Sequence, residues 1–336
     1  MGKKNLCGLT SDEISDFIGP DRYSAAHAVA ISNSIYKKRI SDIEQISKIP
    51  RRLKEELMTI AVCGIYMPLA SEVSADKTVK YLFRTEAGQE FETVYIPDNK
   101  RNTVCVSTQS GCRMGCSFCE TGRYGFRGDL SAGEIVNQLL SIPDAEKVTH
   151  VVFMGMGEPM DNLENVVKAC RIITAEWGLA ISPRNVTVST VGILPGVEQF
   201  LQRSDCNLTL SLFSPFPEER KKNIPLEYQY PVRTIIDVMK NYKVKKKRRL
   251  SIAYVMVSDL NDSDSHLEGI KSLVKGSSVR VNLVPYNPVA NDQKIASSEE
   301  RMQFFKHSLV VAGISASIRK SRGTDISAAC GLLAIR

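Results

Sequence analysis

Over the N-terminal part of the chain, apolar residues recur three or four positions apart. The segments SDEISDFIG, SAAHAVAISNSIYKK and DIEQISKIPRRLKEELM all carry this spacing, which predicts amphipathic helices gathered in a small accessory domain over residues 1–72. The pattern then turns to alternation. YLFRTEAGQEFETVYIP holds two β-rich runs around Ala87-Gly88 and predicts a β-hairpin linker over residues 73–97. From Thr103 onward come short apolar runs, TVCVS, THVVFMGM, NVTVST, NLTLSLF, RLSIAYVM, VRVNLVPY and SASIRK, separated mostly by helical segments. Such alternation predicts βα units on a parallel sheet, and about six repeats are too few to close an eight-stranded barrel. An α/β fold is therefore expected, an open, partial (βα)6-type barrel over residues 98–336. Ser131-Ala-Gly-Glu134 before IVNQLL matches a capping box and sets the start of one of its helices.

Composition narrows this picture. With 336 residues and 43% hydrophobic content the chain can bury a real core. No run of eighteen apolar residues is present, and the start, MGKKNLCGLTSDE, lacks an apolar core or a small-residue cleavage site. A cytoplasmic protein without membrane association is expected. The net charge of +7 favours a polyanionic partner but does not require one. Lys243, Lys245, Lys246, Lys247, Arg248 and Arg249 form a basic run that reads either as a solvated helix end or as a phosphate contact.

The cysteines carry the chemistry. There are nine, an odd count, and Cys112, Cys116 and Cys119 fall within eight residues, which suits metal binding in a reducing compartment. Spacings of four and three let one loop wrap a cubane [4Fe-4S] cluster. Three ligands leave the fourth iron open to chelate the amino and carboxylate groups of a methionine moiety. A structural zinc site needs a fourth ligand, and His27, His150, His266 and His307 are all remote in sequence. One βα unit later stands Gly155-Met156-Gly157-Glu158-Pro159, where missing side chains admit a ligand and Glu158 offers an acceptor to an ammonium group. A CxxxCxxC loop followed by this turn points to S-adenosylmethionine (SAM).

Four blocks, ETVYIP, CVSTQSGCRMGCSFCETGRYGF, FMGMGEP and RGTDISAACGLLA, give a more specific likeness. From about Glu92 to Leu333 the chain resembles the RlmN/Cfr family of radical SAM RNA adenine methyltransferases, and Pro159 looks more like RlmN than Cfr. The resemblance implies a radical SAM barrel that methylates adenine C2 in 23S ribosomal RNA, with transfer RNA as a second substrate. C8 methylation is the Cfr-like alternative, a diverged radical SAM enzyme with another substrate a further one, and a non-catalytic iron–sulfur RNA-binding protein the last. It implies Cys112, Cys116 and Cys119 as cluster ligands, and Gly157, Glu158, Ser189, Ser211 and Asn287 as SAM contacts near strand ends. Cys330 matches the cysteine that receives a methyl group from a first SAM, Cys105 its disulfide partner, and Glu92 a proton acceptor.

An aromatic C2–H is not acidic and its carbon is not nucleophilic, so polar methyl transfer has no route. In the family's scheme a second SAM, cleaved with an electron from a low-potential donor such as flavodoxin or ferredoxin, activates the S-methyl group of Cys330. The methylene adds to adenine, and Cys105 then attacks Cys330 to release the product. The resemblance further implies a monomer. Arg319, Lys320 and Arg322, just before the Cys330 loop, are expected to position RNA, and the helical domain to grip it while the base leaves its stack. Cys7, Cys63, Cys170 and Cys206 match nothing and read as core thiols. Where the family commonly has Ser-Leu-His, this chain has Ser211-Leu212-Phe213, losing a side chain able to hydrogen-bond.

Overall fold

The protein is described here by a computed structural model covering residues 2–99, 101–243 and 248–335. The N-terminal helices form where caps and apolar stripes coincide. Helix α1 (Ser11–Ile18) opens on Thr10, whose hydroxyl accepts from the Glu13 amide while the Glu13 carboxylate accepts from the Thr10 amide. Helices α2 (Ala25–Tyr36) and α3 (Arg51–Ile60) follow, burying Ile31, Ile35, Leu53 and Leu57. These side chains join the same continuous core as Val151 and Phe153 of the main sheet.

Ten strands make that sheet: β1 (Ala70–Val73), β2 (Val79–Arg84), β3 (Glu90–Ile96), β4 (Thr103–Val106), β5 (His150–Phe153), β6 (Val186–Thr190), β7 (Asn207–Ser211), β8 (Leu250–Met256), β9 (Arg280–Pro285) and β10 (Ala316–Ile318). Their spatial order is their chain order. Strands β1 to β4 pair antiparallel and β4 to β10 parallel. Parallel neighbours require crossovers. These are supplied by α4 (Glu120–Tyr124), α5 (Ala132–Leu140), α6 (Leu163–Thr174), α7 (Leu194–Arg203), α8 (Pro217–Asn223), α9 (Val232–Asn241), α10 (Asp264–Val274) and α11 (Glu299–Val311). The predicted capping box at Ser131 and Glu134 starts α5.

The sheet curls. In a flat sheet β4 and β10 would lie roughly 29 Å apart, six strand spacings, yet Thr103, Asn282 and Ser317 line one cavity. This is the partial radical SAM barrel expected from the alternation. The predicted hairpin is present as β2 and β3. Strand β1 is not anticipated, because all four of its residues are exposed and no apolar alternation marks it. Among the described residues no helix is long and apolar enough to cross a membrane.

Candidate active site

The cysteine loop leaves the C-terminal end of β4. Its base is pinched by pairing of Gln109–Ser110 with Gly128–Asp129 and by a 3.2 Å hydrogen bond from the Cys112 amide to the Gly125 carbonyl. Cys112, Cys116 and Cys119 line a cavity of about 170 Å³ at the strand C-terminal ends, where ligand sites gather in this class of fold. Burial holds the Cys112 thiol up at about 12 and that of Cys116 well above its ordinary value. No histidine belongs to the lining, and among the described residues no three His, Cys, Asp or Glu side chains converge on a single ion. Thiols spread over one wall suit a cubane, whose ligands bind different irons, better than tetrahedral zinc.

The opposite wall carries the predicted cofactor residues. Gly157 sits at φ +100°, and a Cβ there would lie 2.6 Å from the Gln109 Cβ, so only glycine lets these two strand-end turns meet. Glu158 is buried. Its Oε1 accepts from Thr190 Oγ1 at 2.6 Å and from the Met160 amide at 2.9 Å, and its Oε2 accepts from the Val191 amide at 2.9 Å. Burial raises its pKa to about 7, against the pull of these donors. Ser189 and Ser211, ending β6 and β7 on the inward face, line the same cavity, as does Asn287 just beyond β9. The Asn287 amide is engaged, accepting from Ser321 Oγ at 2.8 Å and donating to the Cys330 carbonyl at 3.1 Å.

That last contact belongs to a set that pins the C-terminal segment inward. The Glu120 amide donates to Gly331 O at 2.7 Å and Thr121 Oγ1 to Leu333 O at 2.6 Å. On the other side Asp325 accepts from Ser74 Oγ and the Ala75 amide, and Asp76 accepts from the Gly323 amide. Cys330 thereby lines the cysteine-loop cavity and also a second one of about 500 Å³, which Cys105 lines too. Burial raises the Cys105 thiol, and desolvation by the cavity wall raises that of Cys330, an otherwise exposed residue. Cys330 raises Cys105 further, Cys119 raises Cys330, and Arg319 pulls both the other way. The C-terminal cysteine thus stands between Cys105 and the three-thiol loop.

Glu92 lines neither cavity. It lies on β3 beside Lys80, whose Nζ is 3.2 Å from Oε1, and its Oε2 has no hydrogen-bond partner among the described residues. Burial raises its pKa and Lys80 opposes. The nearby Ala334 backbone also opposes the rise, more weakly than Lys80. Lys80 and Arg220 are contributors that the sequence reading missed, and Phe213, noted there only as a lost hydrogen bond, has a packing role. Phe213, at φ +61°, stacks on Phe118 of the cysteine loop with centroids 4.9 Å apart, replacing a polar contact by packing under the loop. Fully buried Arg220 donates to the carbonyls of Val191, Ser211 and Leu212 and pairs with Glu227, tying together the ends of β6 and β7. One arginine at the head of the basic run Arg220-Lys221-Lys222 carried no signal of this.

The basic run divides. Arg248 is buried between Phe200 and Tyr242, Arg249 is exposed on the 500 Å³ cavity, and Lys245, Lys246 and Lys247 lie outside the described residues.

The Radical SAM superfamily profile matches residues 106–270. A protein of Phocaeicola vulgatus named probable dual-specificity RNA methyltransferase RlmN is 42% identical over 334 residues, 98% of this chain and 95% of that one. A dual-specificity RNA methyltransferase RlmN of Syntrophotalea carbinolica is 38% identical over 98% of this chain and 89% of its own length. A crystal structure of a radical SAM methyltransferase from Sphaerobacter thermophilus superimposes with a TM-score of 0.89 at 35% identity, covering 98% of this chain and 99% of that one.

Proposed function

Because this chain belongs to the RlmN family of radical SAM enzymes, we propose that it methylates adenosine C2 in 23S ribosomal RNA and in transfer RNA, with Cys330 as the methyl carrier. The observation that carries this reading is the placement of Cys330 on both cavities, with Cys105 on one side and the three-thiol loop on the other.

The family's cofactors are a [4Fe-4S] cluster and SAM, and when bound they supply the electron, the methyl group and the radical chemistry that activates an S-methyl group. In this assignment Cys112, Cys116 and Cys119 hold the cluster. Gly157 admits SAM to close backbone contact, Glu158 accepts from its ammonium group, and Ser189, Ser211 and Asn287 complete the wall. The Cys330 sulfur takes up the methyl group and bonds to the adenine through its carbon. Glu92 takes the ring proton, which requires its buried carboxylate to be uncovered. Cys105 then displaces the product by forming an S–S bond with Cys330. Arg319 supports both thiols by favouring their ionised forms.

Residues 1–72 are assigned as an RNA-gripping domain, 73–97 as a linker and 98–336 as the catalytic core. The same reading makes the protein a cytoplasmic monomer fed by a low-potential donor such as flavodoxin or ferredoxin. The test is a nucleoside digest of RNA incubated with reduced, cluster-loaded protein and SAM. 2-Methyladenosine is expected, absent with Cys330→Ala, while Cys105→Ala accumulates a protein–RNA adduct. 8-Methyladenosine alone would reassign the enzyme to Cfr-like chemistry. Clean turnover by Cys105→Ala would remove that residue's role.

A further inference from the structure

Short polar side chains, Thr187, Thr209, Ser251 and Asn282 on successive strands β6 to β9, line the barrel interior beside Cys105 together with Val152 of β5. Barrel interiors are normally filled at this level by branched aliphatic side chains. Here the small side chains leave the cavity of about 500 Å³ that reaches from Cys330 toward the strand N-terminal ends. At those ends Arg101 precedes β4, Arg249 directly precedes β8 and Arg280 opens β9. All three are exposed and line the cavity, whose lining contains one carboxylate, Asp98.

Arg101 feels Arg319 and Arg249 as like charges, with Asp98 the one acid beside it. Arg101 is opposed by burial and then by Arg319 and Arg249, and His150 at the start of β5 by burial and then by Arg101 and Arg249. No ion pair among the described residues involves Arg101, Arg249 or Arg280. Like charges gathered at a concave mouth destabilise the fold by mutual repulsion and focus a positive potential outward. A bound polyanion removes that repulsion.

The cysteine loop and the predicted SAM residues line the other cavity, which leaves this one as the roomier approach to Cys330. Cys105 stands two residues beyond Thr103, roughly 7 Å along the strand, which places thiols and mouth within reach of a single nucleotide. We propose that this cavity is the passage by which the target nucleotide reaches Cys330, and that Arg101, Arg249 and Arg280 hold RNA phosphodiester groups at its outer mouth. The proposal rests on the RNA-methylation reading and assigns the path and the phosphate contacts within it.

The test is fluorescence anisotropy of a labelled RNA hairpin on the full chain, titrated at several salt concentrations. Relative to wild type, Arg101→Gln/Arg249→Gln/Arg280→Gln should lower the slope of log affinity against log salt by roughly two, three phosphate contacts at about 0.7 each. Circular dichroism melts verify folding, and Arg101→Lys/Arg249→Lys/Arg280→Lys should keep the slope. Equal slope and affinity in the Gln variant would overturn the proposal. So would loss of ATP or pyrophosphate binding in that variant with RNA binding intact, which would make this a free-nucleotide site. A wild type that binds no RNA would instead overturn the methylation reading, and the passage with it.

Discussion

Glu158 is a carboxylate deprived of water and given three hydrogen-bond donors in its place. The donors favour the charged form, but burial outweighs them, and the group titrates at about 7 instead of 4.5. A raised folded-state pKa means that its stabilising contribution is complete below pH 4.5 and is lost as the pH climbs through about 7. The difference is about 3 kcal/mol, at roughly 1.4 kcal/mol per pKa unit. Glu158→Gln should therefore gain stability relative to wild type between about pH 5 and about pH 8, measured by urea unfolding at each pH. Parallel profiles would show that the carboxylate is already compensated. At this scale the sequence is most legible where spacing encodes chemistry, as in Cys112, Cys116 and Cys119. It is least legible where a side chain acts through a distant partner. Lys80 reaches Glu92 only because β2 and β3 pair in a register that sets Leu82 opposite Glu92.

Among the elements, the parallel strands were readable because buried strands are apolar runs of the right length, and the seven runs quoted above correspond to β4 through β10. Strand β1 carries no such signature, since its stability comes from backbone pairing with β2 rather than from burial. The contact of the C-terminal segment with the cysteine loop is equally silent in sequence. It depends on Gly331 at φ +85°, where a Cβ would stand 2.9 Å from the Phe118 carbonyl oxygen. Gly331→Ala forces a left-handed backbone on a residue that resists it by about 1–2 kcal/mol and pushes the segment away from the loop. The cluster absorbance should persist while 2-methyladenosine formation falls by about a hundredfold, the order expected for a displacement near 1 Å. Loss of the cluster itself would show instead that the segment is needed to shape the cysteine loop.

Across the whole molecule, the last residues are held by the first strands. Asp325 accepts from Ser74 and Ala75, and Asp76 from Gly323, joining the β1–β2 turn to the segment that presents Cys330. The Asp76 carboxyl titrates at about 2, lowered by hydrogen bonds from the Thr78 and Gly323 amides although burial works against them. This tether is thus complete above the ordinary carboxyl pKa of 3.8 and weakens only as the pH falls toward 2. Asp76→Asn/Asp325→Asn should loosen it at neutral pH, seen as faster alkylation of Cys330 in peptide mass spectra with Cys105 unchanged. An unaltered rate would mean that Glu120 and Thr121 suffice to hold the segment.

A thiol that borders two chambers also divides their traffic. Small reagents can enter, react and depart through one room while a long polymer stays docked in the other, so neither visitor has to wait for its counterpart to leave. The C-terminal cysteine stands on the wall that the two rooms share, together with Met154, Val284 and Arg319.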